Sequence, residues 1–203
     1  MLTLSPAAFL ERRDFCRPFP CADHHVTGPP STWQSENNGS VFHIEGQILA
    51  ALAARLGGPV LEIGADLGIS TRYIHEGLAR TEKQNLRIYS VDNHHKWDED
   101  PGWPLRVPID ADSTTYRPPE PCTWAFCDGD HRYDGVFKDC GTLLRAGIPH
   151  LLFHDTGAHH APASNQSCGS DARRAVLDFF TPLPHWELID VQSPCGLLFA
   201  YQV

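Results

Sequence analysis

Leu61-Glu62-Ile63-Gly64-Ala65-Asp66-Leu67-Gly68-Ile69-Ser70-Thr71 is the stretch that decides how this chain folds. Pro59 to Ile63 is an apolar run that reads as a strand. Two glycines then break it. Ser70 to Arg80 follows as a helix, with Ser70 and Thr71 at its start to cap it. Strand, glycine turn and helix form the first part of a crossover unit, whose next strand lies parallel to the first. Leu86 to Asp92 supplies that strand.

The same alternation continues outward. His94 to Pro104 is polar and proline-broken, so it reads as a loop. Leu105 to Ile109 is a weak third strand, Thr123 to Cys127 a fourth and His150 to His154 a fifth. Gly135 to Ala146, ended by Gly147, and Asp171 to Phe180 are helices. Trp186 to Val191 and Gly196 to Tyr201 are two closing strands joined by a turn at Ser193-Pro194. Upstream, Ile44, Ile48, Leu49, Leu52 and Leu56 recur at helical spacing until Gly57-Gly58 stops the helix. The expected fold is α/β: a doubly wound, seven-stranded sheet, mostly parallel, with helices on both faces and one antiparallel strand near the edge.

Residues 1–40 read as an irregular segment, broken by five prolines, with one short helix near Pro6 to Phe15. They hold too few apolar residues for a core of their own. They are expected to cover the carboxyl ends of the strands as a lid, leaving residues 41–203 as the single domain.

Of the 203 residues, 41% are hydrophobic and 20% charged, which suits one buried core. Sixteen basic against 25 acidic side chains give a net charge of -9, which excludes electrostatically driven nucleic-acid binding. No apolar run reaches the ~18 residues of a membrane helix. No basic region precedes the first apolar residues, so no secretory leader is expected. The seven cysteines have no CxxC spacing and read as reduced thiols in a cytoplasmic protein. The expected partner is a small molecule, with a homodimer as the one protein assembly considered; neither nucleic acid nor a membrane is expected.

Ligands of such a sheet bind beyond the carboxyl ends of its strands. Gly64 and Gly68 allow a tight turn and close approach, and the helix after them offers free N–H groups. Asp92, 28 residues beyond Gly64, ends the second strand where a carboxylate can accept from ribose hydroxyls. Loop and acid together point to a nucleoside-bearing ligand. The dinucleotide pattern GxGxxG is absent, Asp66 would repel a pyrophosphate, and there is no Walker lysine. An acidic loop suits a ligand with a cationic centre and an amino-acid group, favouring S-adenosylmethionine over NAD.

LEIGADLGIST followed by IYSVD resembles the first two motifs of class I S-adenosylmethionine-dependent methyltransferases, whose sheet is Rossmann-like. Glu45-Gly46-Gln47-Ile48-Leu49 is similar to a segment of cation-dependent O-methyltransferases of the catechol and caffeoyl-CoA type. Asp128-Gly129-Asp130-His131 is similar to their DxDK segment and to the DGDH segment of natural-product sugar and macrolide O-methyltransferases. The resemblance covers residues 41–203. It implies cofactor contacts at Glu62, Gly64, Ala65, Asp66, Gly68, Ser70, Thr71 and Asp92, and further along at Asp112, Ser113 and Asp128.

Asp128 and Asp155 follow the fourth and fifth strands. Two carboxylates at neighbouring strand ends repel unless a cation or proton lies between them. The resemblance implies both as ligands of a divalent cation, Mg²⁺ first. The family's third ligand is an Asn or Asp beside the fifth-strand acid. Here His154 stands there and is the expected third ligand, which brings Mn²⁺, Fe²⁺ or Zn²⁺ into consideration. His131 replaces the family's lysine as general base, with Asp130 as its rival. The pairs His24-His25, His94-His95 and His159-His160 are expected in solvated loops.

The expected function is methyl transfer from S-adenosylmethionine to a small-molecule oxygen, assisted by a divalent metal, in specialised metabolism. Two alternatives stand beside it. One is a metal-independent methyltransferase acting on an amine or carboxylate; the other is a non-catalytic nucleoside-binding module.

Overall fold

The structure, a computed structural model, describes residues 1–12, 41–81, 86–93, 104–157 and 168–203, with the backbone alone for 168–170. Of the lid expected of residues 1–40, residues 13–40 lie outside the described residues, as do the three His-His pairs.

The elements run β1 (Leu2–Leu4), α1 (Pro6–Glu11), α2 (His43–Leu56), β2 (Val60–Ile63), α3 (Ile69–Ala79), β3 (Ile88–Asp92), β4 (Arg106–Asp110), β5 (Trp124–Cys127), α4 (Tyr133–Arg145), β6 (His150–Phe153), α5 (Cys168–Phe180), β7 (Trp186–Val191) and β8 (Leu197–Gln202). They build one sheet in the order β1-β7-β8-β6-β5-β2-β3-β4. Only β8 runs against its neighbours, β6 and β7. The sheet is therefore Rossmann-like and mostly parallel, as expected, but has eight strands among the described residues rather than seven. The added strand is β1, which lies parallel to β7 with Leu2 opposite Ile189. Residues 2–11 thus extend the sheet edge and pack α1 beside it, instead of remaining irregular. Ser5 caps α1 by accepting from the Ala8 N–H, and Pro6 opens the helix where no N–H is needed.

Side-chain alternation sends successive strand residues to opposite faces. One face packs Val60, Ile88, Trp124, Phe126 and Phe199 against Phe9 of α1, Leu49 and Leu52 of α2 and Ile74 of α3. The other packs Leu61, Val91, Leu151 and Leu198 against Cys140 and Leu143 of α4 and Val176 and Phe180 of α5. Each fully buried leucine contributes about 1.5–3 kcal/mol. Helices α2 and α3 touch closely because position 77 has no side chain: a Cβ there would lie 2.2 Å from the Ala50 carbonyl oxygen. No helix among the described residues is long and apolar enough to cross a membrane.

Strand order reverses beside β2: the chain proceeds from β2 to β3 and β4 on one side, then returns to place β5 and β6 on the other. At the carboxyl ends, Val91, Ile63, Cys127 and Phe153 stand opposite one another across four strands. The next residue on each strand is therefore Asp92, Gly64, Asp128 and His154. These residues reach the crevice at one level.

Candidate functional site

A cavity of about 1160 Å³ lies over these strand ends, slightly larger than the ~300–1,000 Å³ common for small-molecule pockets. Gly64 begins its floor. Its φ of +81° favours glycine. A Cβ at this position would also stand 2.1 Å from the Asp128 carbonyl oxygen. Gly64, Ala65, Asp66 and Ser70 all line the cavity. The Asp66 N–H donates to Asp92 Oδ2 at 2.9 Å, which ties the glycine turn to the end of β3. Asp112, Ser113 and Asp128 line the same cavity. The Asp112 carboxylate closes its own turn on Thr114, whose hydrogen bonds hold it below the usual carboxylate range. The Ser113 hydroxyl donates to Asp139 at 2.7 Å. Burial pushes the Asp139 carboxyl up to about 6, against the opposing hydrogen bond from Ser113.

Three expected cofactor contacts are placed elsewhere. Glu62 and Thr71 are fully buried, and neither they nor Gly68 lie on the cavity wall. Gly68 has left-handed backbone at the N-cap of α3. Glu62 points with Val60 toward α3 and accepts from Ser70 at 2.7 Å, Thr71 at 2.6 Å and Ser90 at 2.6 Å. The Ser70 and Thr71 hydroxyls expected to cap α3 are therefore turned inward. Burial pushes the Glu62 carboxyl up, and the three hydroxyls offset only part of that effect.

The β5 and β6 ends carry the second half of the site. Asp155 has a φ of +53°, a left-handed turn that brings its carboxylate back beside Asp128. Asp128, His131 and Asp155 each offer a ligating atom, and these atoms lie within 4.8 Å of one another. His131 Nδ1 lies 3.4 Å from Asp155 Oδ2. Two carboxylate oxygens and an imidazole nitrogen form a donor set suited to a divalent cation of hard or borderline character. Asp130, the rival base, is bound by Arg132, with Nη2 to Oδ2 at 2.6 Å. That hydrogen bond holds its carboxyl below the usual range, which makes it a poor proton acceptor.

His154 is buried and adjoins this set, its Nδ1 also lying 3.5 Å from Asp155 Oδ1. Its Nδ1 donates to Asp128 Oδ1 at 3.0 Å and its Nε2 to Glu45 Oε2 at 3.0 Å. With both nitrogens engaged by carboxylates, it is not placed as the expected third metal ligand. Burial opposes charge on the ring, but the Asp128 charge and the bonds to Asp128, Cys195 and Glu45 hold its pKa well above that of an ordinary histidine. Glu45 is the residue that sequence reasoning missed as part of the site. Burial alone would raise its carboxyl; His154 and the Cys195 and Phe42 N–H groups outweigh that and lower it. A signal was present: Glu45 precedes Ile48 and Leu49 by three and four positions, so it falls on the apolar face of α2.

A family model described as a methyltransferase domain matches residues 61–156, from β2 to just past β6. That span contains the glycine turn, Asp92, Asp128, His131 and Asp155. The match covers just under half of the chain. Among solved structures, this chain is similar to the cofactor-bound protein Rv0187 from MTB, with a TM-score of 0.62 and 17% identity over 81% of this chain and 82% of that one. It is similar to an O-methyltransferase from Bacillus cereus in complex with SAH, with a TM-score of 0.59 and 17% identity over 81% and 83% of the two chains. A third similar structure is the O-methyltransferase TomG from Streptomyces achromogenes, in complex with SAM and involved in tomaymycin synthesis, with a TM-score of 0.59 and 16% identity over 81% and 82%. At these identities the likeness is one of fold. No curated protein matches the chain.

Proposed function

We propose that this protein transfers the methyl group of S-adenosylmethionine to an oxygen of a small molecule, with a divalent cation held by Asp128 and Asp155. The observation that carries this reading is the convergence of Asp128, His131 and Asp155 within 4.8 Å, at the same strand ends as the glycine turn and Asp92. Similar structures that are O-methyltransferases in complex with SAH or SAM support the choice of donor and acceptor atom.

S-adenosylmethionine supplies a methyl group already activated on a sulfonium, and a bound divalent cation would lower the pKa of an acceptor hydroxyl. The chain's own residues supply position and proton handling. Asp92, whose Oδ2 anchors the Asp66 N–H, would receive the ribose hydroxyls. The acidic wall at Asp66 and Asp128 suits a ligand carrying cationic groups. With Nδ1 of His131 facing Asp155, its Nε2 is left to take the acceptor proton. Holding both reactants in line supplies much of the acceleration, since little other chemistry is required.

A second reading is favoured by the His131–Asp155 contact of 3.4 Å. In it Asp155 orients His131 as the base without an ion, and the acceptor is an amine or carboxylate. Incubation with isotope-labelled S-adenosylmethionine and a set of catechols, sugars, carboxylates and amines, with products identified by mass spectrometry, tests the proposal. Label on a hydroxyl oxygen is expected. Label only on nitrogen or carboxylate would overturn the oxygen assignment, and no transfer to any acceptor would count against catalysis on these classes.

A further inference from the structure

His154 stands between two carboxylates where the sheet meets the cavity. Its Nδ1 donates to Asp128 Oδ1 and its Nε2 to Glu45 Oε2, each at 3.0 Å. Glu45 is fully buried, and both its oxygens are engaged further. Oε2 accepts from the Phe42 N–H at 2.9 Å. Oε1 accepts from Ser193 Oγ and from the Cys195 N–H, each at 2.8 Å. One carboxylate is thus held at once by the start of α2, the end of β6 and the β7–β8 turn. It provides a fixed anchor for the His154 ring. The Phe126 ring, 6.0 Å away in an edge-on arrangement, packs beside it.

Two fixed contacts at opposite nitrogens define the plane of an imidazole. With Glu45 setting one, the other falls on Asp128 Oδ1, with Asp155 Oδ1 farther from the same nitrogen at 3.5 Å. We propose that His154, anchored by Glu45, is a positioning residue that fixes the orientation of the Asp128 carboxylate at the cavity. It serves neither as a metal ligand nor as the base. This deepens the reading above and rests on Asp128 being an ion ligand there. The network spans α2, β5, β6 and the β7–β8 turn, so Asp128 is set by parts of the chain remote from the glycine loop.

Side-chain shape supplies the test. An asparagine amide nitrogen falls near the place of Nδ1 and can still donate to Asp128. A glutamine amide nitrogen falls near Nε2 and reaches Glu45 instead. Mn²⁺ alone is titrated into the full-length wild type and into His154→Asn, His154→Gln and His154→Phe, with the free ion followed by electron paramagnetic resonance. S-adenosylhomocysteine affinity and thermal unfolding are measured on the same samples. His154→Gln and His154→Phe are expected to weaken Mn²⁺ binding by about 10–100-fold, and His154→Asn by no more than about threefold. S-adenosylhomocysteine affinity is expected to change by less than about threefold in every variant that folds, since Asp92 and the glycine turn are untouched. Wild-type Mn²⁺ affinity in His154→Gln, or a loss in His154→Asn as large as in His154→Gln, would overturn the proposal.

Failure of the wild type to bind Mn²⁺ would remove the metal reading alone. Crystal structures then decide the positioning claim. Asp128 kept in orientation in His154→Asn and turned in His154→Gln supports it; Asp128 unmoved in His154→Gln overturns it.

Discussion

Glu62 and Glu45 are both fully buried, yet the protein treats them in opposite ways. Glu62 meets three hydroxyls, and its carboxyl stays above the ordinary value because burial dominates. Glu45 meets two backbone N–H groups, a hydroxyl and an imidazole, and its carboxyl falls below the ordinary value. The difference lies in what the partners can do. A hydroxyl can donate or accept, so Glu62 can gain a proton without stranding its neighbours. A backbone N–H can only donate, so Glu45 must remain a carboxylate. Glu62 braces the glycine turn from behind and stops short of the cavity. Glu45 reaches the cavity through His154 and Asp128.

The largest expected effect is at His131, beside the cavity end of the Glu45 network. His131→Ala should lower turnover by about 10²–10⁴ if His131 is the base. Steady-state kinetics with the acceptor found by product analysis provide the check, and Asp130→Asn should have the smaller effect. Next comes the contrast itself. Glu45→Gln points an amide N–H at donors that cannot reverse and should cost about 2–4 kcal/mol in chemical denaturation. Glu62→Gln faces three hydroxyls, with the Arg106 charge the weakest influence on it, and should lie within about 1 kcal/mol of wild type. Equal losses in the two variants would break the comparison. Between these effects, Asp92→Ala should weaken S-adenosylhomocysteine binding about tenfold, or about 1.4 kcal/mol, by calorimetry.

The smallest expected effect is a pH dependence, and its sign differs at the two glutamates. Glu62 has a raised pKa in the folded state, so above pH 4.5 the folded chain holds more of its proton than the unfolded chain. Stability therefore falls as pH rises through that window, and the advantage of Glu62→Gln over wild type should grow from pH 4 to pH 8. Glu45 has a lowered pKa, so its contribution is present above pH 4.5 and is lost as pH falls through the folded-state value. Thermal unfolding of both glutamine variants across this range measures the two slopes.

Seven strands and the helices were legible because most of the apolar runs are closed by glycine, proline or an acid, and the crossover rule limited the topology to a doubly wound sheet. Leu2–Leu4 was not, since three residues carry no usable alternation and their partner is β7, at the far end of the chain. The cavity wall was legible where it follows a strand end directly, as at Gly64, Asp92 and Asp128. Glu62 was misread as a contact because it sits inside the motif; its alternation with Ile63 sends it to the α3 face. Asp155 was placed at the level of Asp128, whereas the register puts His154 there and a left-handed turn returns Asp155 to its side. Such a turn at a non-glycine residue leaves no mark in composition or spacing.

The proposed division of labour, with Asp128 and Asp155 holding an ion and Glu45 bracing them through His154, is tested most directly by turnover against rising EDTA. The substrate pair is S-adenosylmethionine and the hydroxyl acceptor identified by mass spectrometry. The expected result is loss of turnover in excess chelator and recovery on adding Mg²⁺ or Mn²⁺, with S-adenosylhomocysteine affinity unchanged throughout. Undiminished turnover in excess chelator would contradict it, leaving the His131–Asp155 pair to act without an ion.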